Sequence, residues 1–166
     1  MDVKRLIKHL SSPPWAVRRV LNPAAMRELQ EAIRAGETTH RGELRFAVEA
    51  ALDLASLWQG QTAHQRALDV FSSLRIWDTA ENNGVLIYLL LADHRVEIIA
   101  DRGLLAHAGP ETWDAICRTM EAAFRRHDFK GGLLEGLRAI SALLARAYPA
   151  QGQNPNELPD APVILR

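Results

Sequence analysis

The sequence predicts a single α/β domain with a buried β-hairpin at its centre. Residues 84–92 form a continuous apolar run, which is typical of a strand covered on both faces. After a short polar break at Asp93 and His94, residues 95–100 return as a second strand, as expected for an antiparallel hairpin. A chain of 166 residues is long enough for one hydrophobic core. These observations predict one domain organised around this hairpin.

The first 21 residues have the pattern of a basic amphipathic N-terminal arm. Five Lys and Arg residues stand against a single acidic residue, Asp2. Apolar residues recur at helical spacing, at Val3, Leu6, Ile7 and Leu10. Two interpretations stay open: residues 1–21 pack on the rest of the domain, or they dock on a membrane surface or a partner protein.

A helix, a strand and a second helix are predicted between the arm and the hairpin. Asn22 before Pro23 has the form of a helix start, because Asn caps free amides and Pro suits the first helical position. That helix is expected to end at Gly36. Residues 44–50 alternate apolar and polar side chains, which predicts a strand with one face more exposed than the other. A capping box at residues 62–65 begins the crossover helix, and a βαβ unit results.

Two helices and a tail are predicted after the hairpin. Apolar residues at helical spacing mark residues 110–127 and 133–144. The folded domain is therefore expected to span residues 22–148. Residues 149–166 hold four prolines in a polar context, which predicts a disordered tail.

Composition narrows the classes of function. The 20 basic and 20 acidic residues cancel, so no global field favours nucleic acid. Cys117 is the only cysteine, which excludes an internal disulfide and a multi-cysteine zinc site, and its apolar neighbours predict an inert buried thiol. Trp77 and Trp113 lie on apolar stripes and are expected in the core. The longest apolar run is too short for a membrane span, and no signal peptide is recognised, so we expect a cytoplasmic protein.

Four blocks of sequence, in order, resemble the TPM domain family. The blocks occupy residues 71–77, 82–86, 95–103 and 124–132. The resemblance implies a compact three-layer α/β/α sandwich with a small mixed sheet. It also implies a role seen in some members, either acid phosphatase activity or divalent-cation binding, and in others the maintenance of membrane complexes. Residues 101–105 depart from the glycine-rich stretch typical of the family and place a carboxylate at Asp101.

Six polar residues are predicted to meet at one edge of the sheet. A two-residue turn at Asp93 and His94 pairs Leu86 with Asp101 and so puts Asp101 beside Asn83. A parallel crossover brings the start of the first strand to the same edge. The candidate metal ligands are Asp78, Asp101 and Glu43, and the candidate cofactor-binding residues are Asn82, Asn83 and Arg102. Oxygen ligands of this kind suit calcium or magnesium.

Two alternatives to this site stay open. Asn82, Asn83 and Gly84 are also typical of a purely structural turn, because Asn and Gly tolerate positive φ. In open parallel sheets, ligands usually bind at the carboxyl ends of the strands, which here lie near Asp93 and His94.

Three hypotheses of function follow from these features. The leading hypothesis is a TPM-like binding or quality-control module with divalent-cation dependence, acting with membrane or protein complexes. The second is a weak metal-assisted acid phosphatase, in which Asp78 and Asp101 hold the cation, Asn83 positions it and Arg102 steadies the phosphoryl oxygens. The third is a peripheral membrane protein that docks through residues 1–21. No nucleophile elbow, phosphate loop or paired-histidine motif supports another enzyme class.

Overall fold

A four-stranded mixed sheet forms the centre of the molecule in the computed structural model, which describes residues 3–152 and 154–165. The strands are β1 (Glu43–Glu49), β2 (Gly84–Leu90), β3 (Arg95–Ala100) and β4 (Val163–Leu165). Their order in the sheet is β3-β2-β1-β4, with β1 parallel to β2 and to β4 and with β3 antiparallel to β2. The predicted mixed sheet with its hairpin is confirmed.

Helices cover both faces of this sheet. They are α1 (Val3–Leu10), α2 (Ala16–Val20), α3 (Pro23–Glu37), α4 (Leu54–Trp58), α5 (Ala63–Ser73), α6 (Pro110–Arg125) and α7 (Phe129–Ala147), with a 3-10 turn at Arg102–Leu104. On one face, β1 and β2 pack with α3, α6 and α7 around Phe46 and Ile87. On the other, they pack with α4 and α5 around Leu86 and Tyr88. The predicted three-layer α/β/α sandwich is confirmed.

Local sequence signals start the helices where they were expected. Asn22 Oδ1 accepts a hydrogen bond from the Ala25 amide at the start of α3. Thr62 and Gln65 form the predicted capping box at the start of α5, each side chain accepting from the other's backbone amide. These caps involve only neighbouring residues, so they can be recognised from the sequence alone.

The hairpin turns through four residues rather than two. Leu90 pairs with Arg95, and the loop between them closes with a bond from the His94 amide to the Leu91 carbonyl. The predicted pairing is therefore shifted by two residues. Because side chains alternate with a period of two, this shift keeps each residue on its face. The Asp101 amide still reaches the start of β2 and donates to the Gly84 carbonyl.

Strand β1 is buried on both faces, contrary to the prediction of one more exposed face. Its charged side chains are compensated by distant partners. Arg66 on α5 donates to both oxygens of Glu49 at 2.9 Å, and the Tyr88 hydroxyl donates to Glu49 at 2.6 Å. The alternation of charges that suggests exposure in the sequence thus marks buried charges with polar partners instead.

The prediction of a disordered tail is wrong for residues 154–165, which form a strap along β1 and end in β4. The Leu158 amide donates to Glu43 at 3.0 Å, and the Arg45 guanidinium donates to the carbonyls of Pro159 and Ala161. Leu158 and Asp160 are buried. This C-terminal strap is ordered because its backbone satisfies charges that β1 carries into the interior.

Two details of the arm and the tryptophans also differ from the predictions. Val17 and Leu21 lie in the core, so the domain includes part of the segment assigned to the arm. Trp113 is buried as expected, whereas Trp77 is half exposed and lies against the Arg75 guanidinium.

Candidate functional site

The amino ends of β1 and β2 bring together five of the six predicted site residues, at an edge that we call the rim. Glu43 pairs with Gly84, and its amide donates to the Asn83 carbonyl. Across the hairpin, Arg102 Nε donates to Asn82 Oδ1 at 3.0 Å. The rim therefore consists of Glu43, Asn82, Asn83, Asp101 and Arg102.

Asp78, the sixth predicted residue, has a different partner. Its carboxylate accepts from Arg75 at 2.7 Å, and both side chains are exposed. No hydrogen bond or ion pair among the described residues joins Asp78 to the rim. In the part of the chain that the structure describes, no group of three or more His, Cys, Asp and Glu side chains is arranged to hold a metal ion.

Two buried oxygens at the rim have no hydrogen-bond partner among the described residues. They are Asn83 Oδ1 and Asp101 Oδ2. The other polar atoms of these side chains are engaged: Asn83 Nδ2 donates to the Arg41 carbonyl at 2.8 Å, and Asp101 Oδ1 accepts from the Arg102 amide at 2.7 Å. A buried acceptor without a donor is unfavourable, so each oxygen is suited to a water molecule or a cation.

Glu43 contributes less to such a site than the sequence suggested. Its Oε2 accepts from the Leu158 amide of the C-terminal strap. Burial raises the pKa of Glu43, with bonds from the strap backbone acting in the opposite direction. The carboxylate therefore serves mainly to fasten the strap.

A tyrosine that the sequence analysis missed also reaches the rim. The Tyr148 hydroxyl donates to the Gly103 carbonyl at 2.7 Å. Burial raises the pKa of Tyr148, and the nearby carboxylates of Glu81 and Asp101 raise it further. Tyr148 follows the last helix by one residue, so only the tertiary fold shows its position.

The second notable surface is the outward face of α1. Val3, Ile7 and Leu10 are each about 60% exposed and recur at i, i+4 and i+7, so they form one apolar stripe on the helix. Trp15, just beyond the helix, is equally exposed. We call Val3, Ile7 and Leu10 the exposed stripe.

The opposite face of α1 is fastened to the domain beside the carboxyl end of β2. Arg5 donates to Asp93 Oδ2 at 3.0 Å and also to the Gln61 carbonyl at 2.8 Å. The buried His9 ring accepts from the Leu52 amide at Nδ1, so its proton is on Nε2, which lies 3.1 Å from Asp93 Oδ1. This geometry favours the interpretation of an arm packed on the domain.

The same contacts shift the ionisation of Asp93. Burial on its own raises the pKa of Asp93, but hydrogen bonds from Arg5 and His9 outweigh it, and the pKa lies below its usual value. Asp93 is thus a stable anion that holds the arm at neutral pH.

A cleft of about 380 Å³ lies next to this anchor. It is lined by Lys8 on the arm, by His94 of the hairpin and by His127 at the end of α6. Burial lowers the pKa of His94, and the charges of Lys8 and His127 lower it further. A cleft therefore exists at the alternative location near the carboxyl ends of the strands, and Asp93 lines it together with Lys8 and the two histidines.

The four-stranded sheet, with helices packed on both of its faces, defines a small α/β/α domain. The sequence profile of the TPM domain matches residues 17–143, and the chain belongs to this family. No helix in the described ranges is both long enough and apolar enough to cross a membrane.

Two solved structures share the fold. The NMR structure of the BA42 protein from the psychrophilic bacterium Bizionia argentinensis superposes with a TM-score of 0.76 at 28% identity, over 87% of this chain and 94% of that one. The N-terminal domain of a P. gingivalis protein gives a TM-score of 0.64 at 19% identity, over 81% of this chain and 83% of that one. Comparison with curated protein sequences gives no significant match.

Proposed function

We propose that this TPM domain is a binding module that works at an anionic membrane surface, which it reaches through its N-terminal arm. The observation that carries the proposal is the exposed stripe of Val3, Ile7 and Leu10 on α1. A contiguous apolar face in water is unfavourable, and such patches mark surfaces that a partner covers.

The charges of the N-terminal arm favour an anionic bilayer as that partner. Lys4, Lys8, Arg18 and Arg19 are exposed, and residues 3–20 contain no acidic side chain. Each basic residue near an anionic membrane contributes about 1 kcal/mol of attraction. An apolar face flanked by cations is the chemistry of helices that lie in the membrane interface, where the exposed Trp15 is also favoured.

The anchor at Asp93 supports the same proposal by fixing which face of α1 is presented. Arg5 and His9 turn inward, so the exposed stripe is displayed by a helix that is already folded. Preformed structure lowers the conformational cost of docking.

Co-sedimentation with vesicles tests the proposal. The protein is expected to sediment with vesicles that contain phosphatidylserine and not with vesicles of phosphatidylcholine alone. Ile7→Glu should abolish sedimentation, because it places a charge in the apolar stripe. Trp77→Glu is the matched control, since it makes the same charge change at another exposed apolar residue. Equal sedimentation of Ile7→Glu and Trp77→Glu, or no sedimentation of the wild type, refutes the proposal.

A second candidate function is weak binding of a divalent cation at the rim, with calcium or magnesium as the ion. The unpartnered oxygens of Asn83 and Asp101 support it. These residues fit part of the shell of six to eight oxygens that calcium takes, with water completing it. When bound, such an ion would supply positive charge for a phosphate or carboxylate partner.

Isothermal titration with calcium and with magnesium tests this second candidate. Asp101→Asn is expected to remove the binding heat, whereas Asp78→Asn should leave it unchanged because Asp78 is paired with Arg75. Loss of heat in both variants would instead favour the six-residue site of the sequence prediction. The acid phosphatase alternative is tested on the same samples. It predicts that they hydrolyse an aryl phosphate and that a chelator inhibits this hydrolysis.

A further inference from the structure

Strand β3 is an edge of the sheet, and its backbone groups alternate in direction. The bond from the Asp101 amide to the Gly84 carbonyl sets the antiparallel pattern, in which every second residue of β3 bonds to β2. Glu97 and Ile99 therefore face β2. The amides and carbonyls of Val96, Ile98 and Ala100 point away from the sheet.

These outward amides are unequally covered. The Val96 amide lies 3.4 Å from Glu121 Oε1, and the Ile98 amide faces the sulfur of Cys117, a weak acceptor. Among the described residues, no side chain or loop carbonyl accepts from the Ala100 amide. The half of β3 that ends at Ala100 is thus an unprotected strand edge.

An apolar groove of about 300 Å³ runs along this part of the edge. Residues 97–100 line it, with α5 contributing Leu68 on one side and α6 contributing Trp113 on the other. Leu68 is 46% exposed, and Leu105 at the groove's end is 68% exposed. The groove therefore offers pockets for side chains next to a free backbone edge.

The charges at the groove are mainly negative. Glu97, Asp114 and Glu121 surround Cys117. Burial is the main cause that raises the pKa of Cys117 to about 12, and the charges of these three carboxylates raise it further. Arg95 pairs with Glu97 and Glu121, and the His64 ring lies 3.1 Å from Glu97, whereas Asp114 has no ion-pair partner among the described residues. The net negative charge that remains is complementary to a cationic ligand.

We propose that the β3 edge binds an extended peptide segment with alternating apolar and basic residues, which adds to the sheet as a fifth strand. The Ala100 amide and the outward carbonyls of β3 supply the main-chain bonds, and the groove receives alternate apolar side chains, as in other cases of strand addition. A second copy of this chain is disfavoured as the occupant, because edge-to-edge pairing brings two acidic grooves together. This surface is separate from the arm, so the inference does not depend on membrane docking.

Fluorescence anisotropy with a labelled eight-residue peptide of alternating valine and lysine tests the proposal. Two further peptides carry backbone N-methyl groups, one on the valine nitrogens and one on the lysine nitrogens. Strand addition predicts that one methylated peptide loses at least tenfold in affinity while the other binds normally, because only one set of nitrogens faces β3. A peptide with glutamate in place of lysine should also bind at least tenfold more weakly.

Hydrogen exchange gives a readout that side-chain contacts alone would not produce. In the bound state the Ala100 amide should exchange at least tenfold more slowly, while the amides of Glu97 and Ile99 stay unchanged because β2 already holds them. Leu105→Ser should weaken binding, and Ile7→Glu, which lies outside the groove, should not. Equal affinity of all methylated peptides, an unchanged Ala100 amide, or absence of binding overturns the proposal. Protection of Ala100 by self-association of the peptide-free chain also overturns it.

Discussion

Nε2 of His9 lies 3.1 Å from Oδ1 of Asp93, and this contact joins the N-terminal arm to the loop that follows β2. The Leu52 amide donates to the other ring nitrogen of His9, so the imidazole bridges the arm and two segments of the domain. The orientation of the exposed stripe depends on this junction.

Asp93→Asn is expected to lower the free energy of unfolding by about 1–3 kcal/mol, the usual cost of removing a partly buried charged hydrogen-bond partner. Urea denaturation measures the change, and hydrogen exchange at Leu52 reports release of the arm. Asp78→Asn is the matched control, since its pair with Arg75 is exposed and contributes about 0–1 kcal/mol. Equal effects of the two variants would contradict the assigned role of Asp93.

The arm should also detach in acid. Because the folded-state pKa of Asp93 lies below its usual value, its contribution is fully present above the unfolded pKa of about 3.9 and is lost as pH falls through the folded pKa. Limited proteolysis near residue 10 at decreasing pH measures this release. Cleavage that is as rapid at pH 7 as in acid would show that Asp93 does not hold the arm.

Glu37 gives the opposite dependence on pH. Burial raises the pKa of Glu37 to about 8, repulsion from Glu43 and Asp160 adds to this, and a bond from the Leu44 amide opposes it. The folded state therefore binds the extra proton between about pH 4.3 and pH 8, and stability falls as pH rises through that window. Glu37→Gln should remove this fall, making the variant more stable at pH 8 by about 1–3 kcal/mol after solvent screening. Parallel stability curves from pH 5 to 9 for the two proteins would contradict the prediction.

His40 is fully buried, and neither ring nitrogen makes a hydrogen bond of ordinary geometry among the described residues, although the ring lies near the Gly42 backbone. Burial lowers its pKa, so the unfolded chain takes up a proton first and stability falls as pH drops below about 6.5. His40→Leu should flatten this acid limb and change stability at pH 7.5 by less than about 1 kcal/mol. Thermal unfolding between pH 5 and 7.5 checks this, and an unchanged slope in the variant would assign the acid limb to other groups.

Removal of the C-terminal strap tests whether it belongs to the domain. A chain ending before residue 154 removes the backbone partners of Arg45 and Glu43 and the buried Leu158 side chain, which should cost about 3–5 kcal/mol. Urea denaturation of the full and shortened chains measures the difference. A shortened chain of unchanged stability would restore the prediction of a disordered tail.

Most of the fold could be predicted from the sequence because it depends on local sequence patterns. The Asn22 cap, the capping box at Thr62 and the apolar run of β2 each need only neighbouring residues to be recognised. The resemblance to the TPM domain family predicted the arrangement of the helices and the sheet in three layers. The predicted register of the hairpin differs from the observed one by two residues. The prediction assumed a two-residue turn, but the length of the turn depends on how the two strands pair in the sheet.

The remaining features depend on contacts distant in sequence. The charged residues of β1 suggest an exposed face in the sequence. In the structure they are buried, because Arg66 and the C-terminal strap, both distant in sequence, supply their partners. For the rim, the sequence predicted that Asp101 and Asn83 share an edge, and in the structure the Asp101 amide donates to the carbonyl of Gly84, the residue after Asn83. Whether a metal binds there stays a prediction. The open edge of β3 was not predicted, since a strand's sequence does not show whether another strand lies beside it.

An environment-sensitive fluorophore on α1 tests the central proposal most directly. Ile7→Cys, made together with Cys117→Ser, carries the fluorophore on the exposed stripe, and Trp77→Cys in the same background is the control. Vesicles containing phosphatidylserine should shift the emission to the blue only when the fluorophore is at position 7, because only that position enters the membrane interface. An unchanged spectrum at position 7, or an equal shift at both positions, would contradict docking through the arm.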